Sequence, residues 1–171
     1  MKNSNKKGFT LVELVVVIAI IGVLAAILVP SLMGYVRKSR MKTANGNAKT
    51  AYNAVAEIDA DAETLGHPIT WSSVTIADID CTATPTAATL DATASNVAAV
   101  VSYEVARALQ TNGNEAGIVH VAGQAINGVN TFFCQWRKSG QDDIFGQYPQ
   151  AIKNIDQCGT NGANWGTWQN V

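Results

Sequence analysis

The sequence predicts an α+β fold in which a long N-terminal α-helix packs against a small antiparallel β-sheet. Three features predict it: an uncharged apolar run near the N-terminus, an amphipathic helix pattern that continues from it, and a later pair of alternating segments joined by a tight turn. A helix with an apolar stripe and a sheet with an apolar face both need to be covered, and each can cover the other.

The first half of the helix is apolar on every side. Residues 14–36 contain no charged side chain, and at 1.5 Å per residue this run is about 34 Å long, which is enough to cross a bilayer. Basic residues lie on both sides of it: Lys2, Lys6 and Lys7 before, and Arg37, Lys38, Arg40 and Lys42 after. The run is about twice as long as the apolar stretch of a secretory signal peptide. We therefore expect a membrane helix over residues 9–35, with a loosening at Pro30, which cannot donate a backbone hydrogen bond.

The second half of the helix is amphipathic and is predicted to end near Leu65. Apolar residues recur there at spacings of three and four, on one helix face: Ala44, Ala48, Ala51, Val55, Ile58, Ala62 and Leu65. Gly66 and Pro68 supply a stop signal. Residues 36–65 are therefore expected to belong to a globular headgroup over residues 36–171.

The clearest strand signal is a hairpin around the dipeptide Asn127-Gly128, a preferred two-residue turn. Strands over 118–122 and 129–136 would then pair Val121 with Cys134 and Val119 with Trp136. The predicted core face carries Val119, Val121, Ala125, Phe132, Cys134 and Trp136. The opposite face is expected to be mostly solvated, and it carries His120, Gln124, Thr131, Phe133, Gln135 and Arg137.

The remaining segments give weaker signals. Residues 69–80 are interpreted as loop with a short strand or helical turn, and residues 81–95, rich in Thr and Ala, as a polar connection. A second helix is predicted from about Asn96 to the dipeptide Asn112-Gly113. The chain beyond Gly140 is expected to be a surface segment with at most one or two short strands.

One isolated carboxylate stands at the front of the apolar run. An ionised Glu13 inside a membrane costs about 2.5–3.5 kcal/mol on insertion scales, which indicates a compensating positive charge. Residues 6–14, with the sequence KKGFTLVEL, resemble the class III leader and N-terminus of type IV prepilins. The resemblance is close over residues 1–30 and only architectural beyond residue 40.

That resemblance implies processing by a prepilin peptidase, a membrane-embedded aspartyl peptidase. The peptidase would cut after Gly8, removing residues 1–8 as a leader, and would methylate the new N-terminus at Phe9. Glu13 would pair with the N-terminal ammonium of a neighbouring subunit, and this pairing would set the axial register of the assembly.

The family resemblance also implies a life cycle. The chain would be a single-pass membrane protein before assembly, and pilus assembly machinery would then polymerise it into a helical homo-oligomeric filament, an extracellular pilus (fimbrium) for adhesion or motility. Gly22 and Pro30 match the positions where the family's first helix loosens inside the filament. The fold implied is the pilin fold described above.

Charge and motif content favour a structural protein over an enzyme. Residues 43–171 carry five basic and twelve acidic side chains, a net of −7, which does not favour nucleic acid as a partner. Neither His67 nor His120 belongs to a recognisable nucleophile arrangement, and the adjacent Asp142 and Asp143 are interpreted as a solvated turn rather than a calcium site. We expect no cofactor, no metal and no catalytic residue.

The three cysteines have no C-x-x-C spacing, which argues against a zinc or redox site. In many pilins one disulfide joins a late strand to the C-terminal segment, and Cys134 and Cys158 match that arrangement. A bond from Cys81 to either of them, or three reduced thiols, stays open, and one bond is the favoured expectation.

Two other functions compete with a pilus subunit. A type II secretion pseudopilin shares the entire N-terminus. A carbohydrate-binding adhesive pilin would use Trp165 and Trp168, with Tyr148, to stack on the sugar rings of a polysaccharide surface, although packing onto the sheet explains these side chains equally well.

Overall fold

The computed structural model describes residues 8–158. The chain divides into two compact units, Met1–Arg37 and Lys38–Val171. Helix α1 (Leu11–Thr64) runs through the boundary between them. It is the one helix among the described residues that is long and apolar enough to cross a membrane.

In the first unit, α1 is continuous through Pro30, and every described residue is exposed. The exposed surface is built from large aliphatic side chains, among them Val15, Ile18, Ile21 and Leu28. A soluble monomer rarely exposes so large an apolar surface, so this helix needs a lipid or protein environment. The loosening expected at Gly22 and Pro30 stays a prediction.

The second unit contains the rest of the fold. Its strands are β1 (Ile79–Asp80), β2 (Ile118–Ile126), β3 (Val129–Arg137) and β4 (Phe145–Tyr148), and its second helix is α2 (Val97–Leu109). The strands form one antiparallel sheet in the order β1-β2-β3-β4. The α+β fold predicted from the sequence, with a long helix on an antiparallel sheet, is confirmed.

Helix α1 ends where the glycine signal predicted. Gly66 has φ +79°, its N–H bonds to the carbonyl of Glu63 at 3.0 Å, and the His67 N–H bonds to the carbonyl of Ala62 at 3.0 Å. These two bonds form a Schellman cap. The apolar stripe is buried as predicted up to Ala62, but Leu65 is 46% exposed because the helix has already ended.

The hairpin has the predicted register. Val121 pairs with Cys134 and Val119 with Trp136, and Asn127 and Gly128 both have positive φ, as a type I′ turn requires. The core face packs with α1 and α2 in one cluster. Ala125, predicted in this face, is exposed, close to the hairpin turn.

One expectation about the surface is wrong, and a second is wrong in part. The second sheet face is not mostly solvated, because Phe133, Gln135 and Arg137 are buried. The segment after Gly140 contains one short strand, β4, within the one or two expected, but it is not a surface segment throughout, because Phe145 and Gln147 are buried. Strand β4 pairs Gln147 with Gln135 and joins their side chains through a 3.0 Å hydrogen bond. Strand β3 therefore has a neighbour on each side and is central in the sheet.

Candidate assembly site

The N-terminus of α1 is closed by a capping box. Thr10 precedes the first helical residue, and both its backbone N–H and its hydroxyl donate to Glu13 Oε2, at 2.8 and 2.7 Å. The Glu13 N–H in turn bonds Thr10 Oγ1 at 3.3 Å. The T-x-x-E spacing is a known helix-start signature, and it is the feature of this site that the sequence analysis missed.

This cap positions one carboxylate beside the predicted cleavage point. Gly8 and Phe9 precede Thr10, and both are exposed. Thr10 occupies Oε2 of Glu13, while Oε1 accepts no hydrogen bond within residues 8–158. The structure therefore holds an exposed carboxylate oxygen four residues from the backbone nitrogen that cleavage after Gly8 would turn into an N-terminal amine.

Arg37 ends the first unit, and the basic residues that follow it, Arg40 among them, belong to the second unit. Arg40 Nη2 forms a 2.7 Å salt bridge with Asp142 Oδ2, and the other oxygen of Asp142 accepts the Ile144 N–H at 3.1 Å. The sequence predicted a solvated Asp142, but both oxygens of its carboxylate have partners within the protein. No cluster of three or more His, Cys, Asp or Glu side chains suited to a metal lies within residues 8–158.

The cysteines lie in the core. Cys81 and Cys134 are free thiols, both fully buried, and burial raises the pKa of Cys81 to about 12 and raises the pKa of Cys134 as well. Cys134 lies in the main core, whereas Cys158 packs with Met41 and Phe145 in a second cluster. The Cys134–Cys158 disulfide is accordingly not formed in this structure.

The remaining candidate side chains are exposed or half-buried in the second unit, except for two that lie outside the described residues. Tyr148 is half-buried and packs edge-on against Tyr52, with ring centroids 4.9 Å apart. His120 Nδ1 lies 2.8 Å from Asp78 Oδ1, and His67 is exposed beyond α1. Trp165 and Trp168 lie outside the described residues.

Comparison with known proteins identifies the N-terminal segment. Residues 3–29 match the family model described as the prokaryotic N-terminal methylation motif. The chain is 50% identical over 61 residues to fimbrial protein EcpC of Eikenella corrodens (36% of this chain, 40% of the relative). It is 44% identical over 52 residues to the type IV major pilin protein PilA of Myxococcus xanthus (30% and 24%).

A third relative extends the similarity further along the chain. The type IV major fimbrial protein FimA of Dichelobacter nodosus is 36% identical over 81 residues, 47% of this chain and 52% of the relative. The chain thus spans between about a quarter and a half of the length of these relatives. No solved structure matches it. The resemblance of the N-terminus to type IV pilins is confirmed.

Proposed function

We propose that this chain, whose N-terminus resembles that of type IV pilins, is the structural subunit of a type IV pilus. A prepilin peptidase cuts it after Gly8 and methylates Phe9, and the matured subunit polymerises through its apolar helix into a surface filament. Residues 1–8 are the leader, residues 9–35 the filament-core helix and residues 36–171 the headgroup. The relatives named as major pilins and fimbrial proteins support this assignment.

The observation that carries the proposal is an exposed apolar helix with one carboxylate at its head. The helix is long enough to sit in a membrane before assembly, and its aliphatic surface can later be buried against copies of itself. In that setting Glu13 Oε1 is the oxygen that would accept the ammonium of a neighbour's Phe9. Because an unpaired charge in an apolar core is costly, this pairing favours one axial stagger over others.

The first test is the mass and N-terminal peptide map of the protein on its native cell surface. We expect a chain that begins at methylated Phe9, and we expect filaments visible by electron microscopy. A chain that begins near Ala26 would show ordinary signal-peptide secretion and contradict the proposal. Correct processing without surface filaments would indicate a type II secretion pseudopilin instead.

The second test separates the charge of Glu13 from its capping role. Glu13→Gln keeps a side chain that can cap the helix but removes the charge, so we expect normal cleavage after Gly8 and at least a tenfold loss of filaments. Thr10→Ala is the matched control, because it removes the capping hydroxyl and keeps the carboxylate, and it should assemble. Equal assembly of Glu13→Gln and the unaltered protein would contradict the register role.

A further inference from the structure

Helix α1 carries opposite charges at the two ends of its exposed face within the second unit. We call this surface the charged face, and its exposed residues are Lys38, Lys42 and Lys49 at the start and Glu57, Asp61 and Glu63 at the end. The basic and acidic groups are separated along the helix axis, so the face has a positive and a negative patch.

The charged face is one continuous side of the helix. At about 100° per residue, Lys38, Lys42 and Lys49 point within roughly 40° of one another, opposite the buried alanine stripe. Glu57 and Asp61 point roughly 80° and 120° away from the mean lysine direction, whereas Glu63 points with the lysines, so the six charges span an arc of about 160° on the side away from the buried stripe. Between the two patches the exposed residues are polar, Thr50 and Asn53.

None of the six charges forms an ion pair with another side chain in the described part of the chain. One contact occupies part of the face, with the Lys49 ammonium 5.7 Å from the ring centroid of Tyr148. By contrast, neighbouring Arg40 is paired with Asp142. Apart from the contact with Tyr148, the two complementary patches are not paired with other charges within residues 8–158.

We propose that the charged face binds a second copy of this chain, with the positive patch of one copy against the negative patch of the next. This inference rests on the proposed function, which makes all copies point the same way. Parallel copies in register would place like charges together. A displacement of about 20 Å along the axis, at 1.5 Å per residue, instead brings Lys42 opposite Glu57 and Lys49 near Asp61.

The arrangement has the geometry of an open polymer. Two different patches on one chain make a heterologous contact, and such a contact propagates into a helical filament when its rotation does not close a ring. An exposed ion pair contributes little by itself, but complementary charges select register and suppress wrong pairings. The charged face would therefore give the headgroups a second register, independent of Glu13.

Charge reversal in the full-length, matured chain tests this pairing. Lys42→Glu with Lys49→Glu makes the face acidic, and Glu57→Lys with Asp61→Lys makes it basic. After detergent removal at about 20 mM salt, where screening is weak, we expect each double variant to sediment as filaments at least fivefold less than the unaltered protein. The fourfold variant with all four changes should recover assembly, because its patches are complementary again.

Matched controls carry the same change in net charge outside α1. Lys138→Glu with Lys153→Glu, and Asp143→Lys with Asp156→Lys, alter exposed residues and should assemble like the unaltered protein. A mixture of the two double variants of the charged face should also assemble, since one supplies an acidic face and the other a basic face. At about 500 mM salt the differences between variants should shrink.

The outcomes distinguish this inference from the proposed function. If the unaltered chain is processed and forms Glu13-dependent filaments while the double variants of the charged face assemble normally, or while the fourfold variant stays defective, the charged face has no such role and the proposed function stands. If the unaltered, processed chain forms no filaments, the proposed function itself fails.

Discussion

Gly146 is the residue on which the contact between strand β4 and helix α1 depends. A Cβ added there would lie 2.0 Å from the Ala44 carbonyl carbon and 2.2 Å from the Asn45 nitrogen, so it would collide with backbone that cannot rotate away. The same close approach lets Asn45 bond the strand's end: its Oδ1 accepts the Gln147 N–H at 3.1 Å. Position 146 therefore has to be glycine, because there is no room for a Cβ atom between β4 and α1.

Gly146→Ala should destabilise the protein by at least the 1–3 kcal/mol typical of overpacked cores. Gly140→Ala is the matched control, because nothing lies within 4 Å of its Cβ position. Thermal unfolding of the two variants and the unaltered chain, each in detergent, measures the difference. Equal melting temperatures for both variants would mean that β4 does not contact α1 as described.

The loop that leads into α2 is organised by the side chain of Asp91. Its Oδ1 accepts the Ser95 N–H at 2.8 Å and the Thr93 N–H at 3.1 Å, and the Ser95 hydroxyl donates to Oδ2. These hydrogen bonds stabilise the ionised carboxylate, so they hold the pKa of Asp91 below its ordinary value. The polar connection predicted from composition is thus an ordered turn.

A lowered pKa makes the order of this loop depend on pH. The carboxylate's contribution is fully present above the ordinary aspartate pKa of about 3.8 and is lost as pH falls through the lower pKa of the folded state. We expect the protection of the Thr93 and Ser95 amides, measured as the exchange rate relative to the intrinsic rate at the same pH, to fall in acid in the unaltered protein and to be low at every pH in Asp91→Asn. Ser95→Ala, which removes one donor, should raise the pKa of Asp91. An unchanged Asp91 titration in Ser95→Ala would contradict this account.

Elements held by local chemistry were predictable from the sequence, and long-range pairings were not. The dipeptide Asn127-Gly128 specifies its own turn, and alternation on either side then determines the register of β2 and β3. The burial of Gln135 depends on its pairing with Gln147 in strand β4. No local sequence pattern predicted the position of that strand. At the N-terminus, Glu13 was identified by its charge in an apolar context, whereas its bond to Thr10 needed the capping spacing as well.

At the scale of the whole molecule, the two units differ in how their apolar side chains are buried. The second unit buries its apolar residues against one another, as a folded domain does. The described part of the first unit is exposed throughout, so its apolar side chains need burial in lipid or against other protein. An uninterrupted apolar run and one carboxylate made the first unit recognisable from the sequence, and the same features leave its described residues without an internal core.

Alkylation of the buried thiols measures whether the core of the second unit unfolds. Cys81 and Cys134 are fully buried in its main core, and burial raises the pKa of both thiols. In the native state a reagent therefore cannot reach them, and they are not ionised to the reactive thiolate. A thiol-alkylating reagent at pH 8 should therefore leave both unmodified in the full-length chain. An exposed cysteine introduced by Ser139→Cys should react within minutes under the same conditions, which shows that the reagent is active.

Denaturant without reductant then distinguishes free thiols from a disulfide. We expect Cys81 and Cys134 both to be alkylated once the core opens, and to appear as modified peptides in the mass spectrum. Protection of Cys134 in the denatured chain, lifted only by a reductant, would show that it is bonded to Cys158 or Cys81. Because removal of a native disulfide typically costs about 2–5 kcal/mol, that result would also assign part of the stability of the second unit to a cross-link rather than to core packing alone.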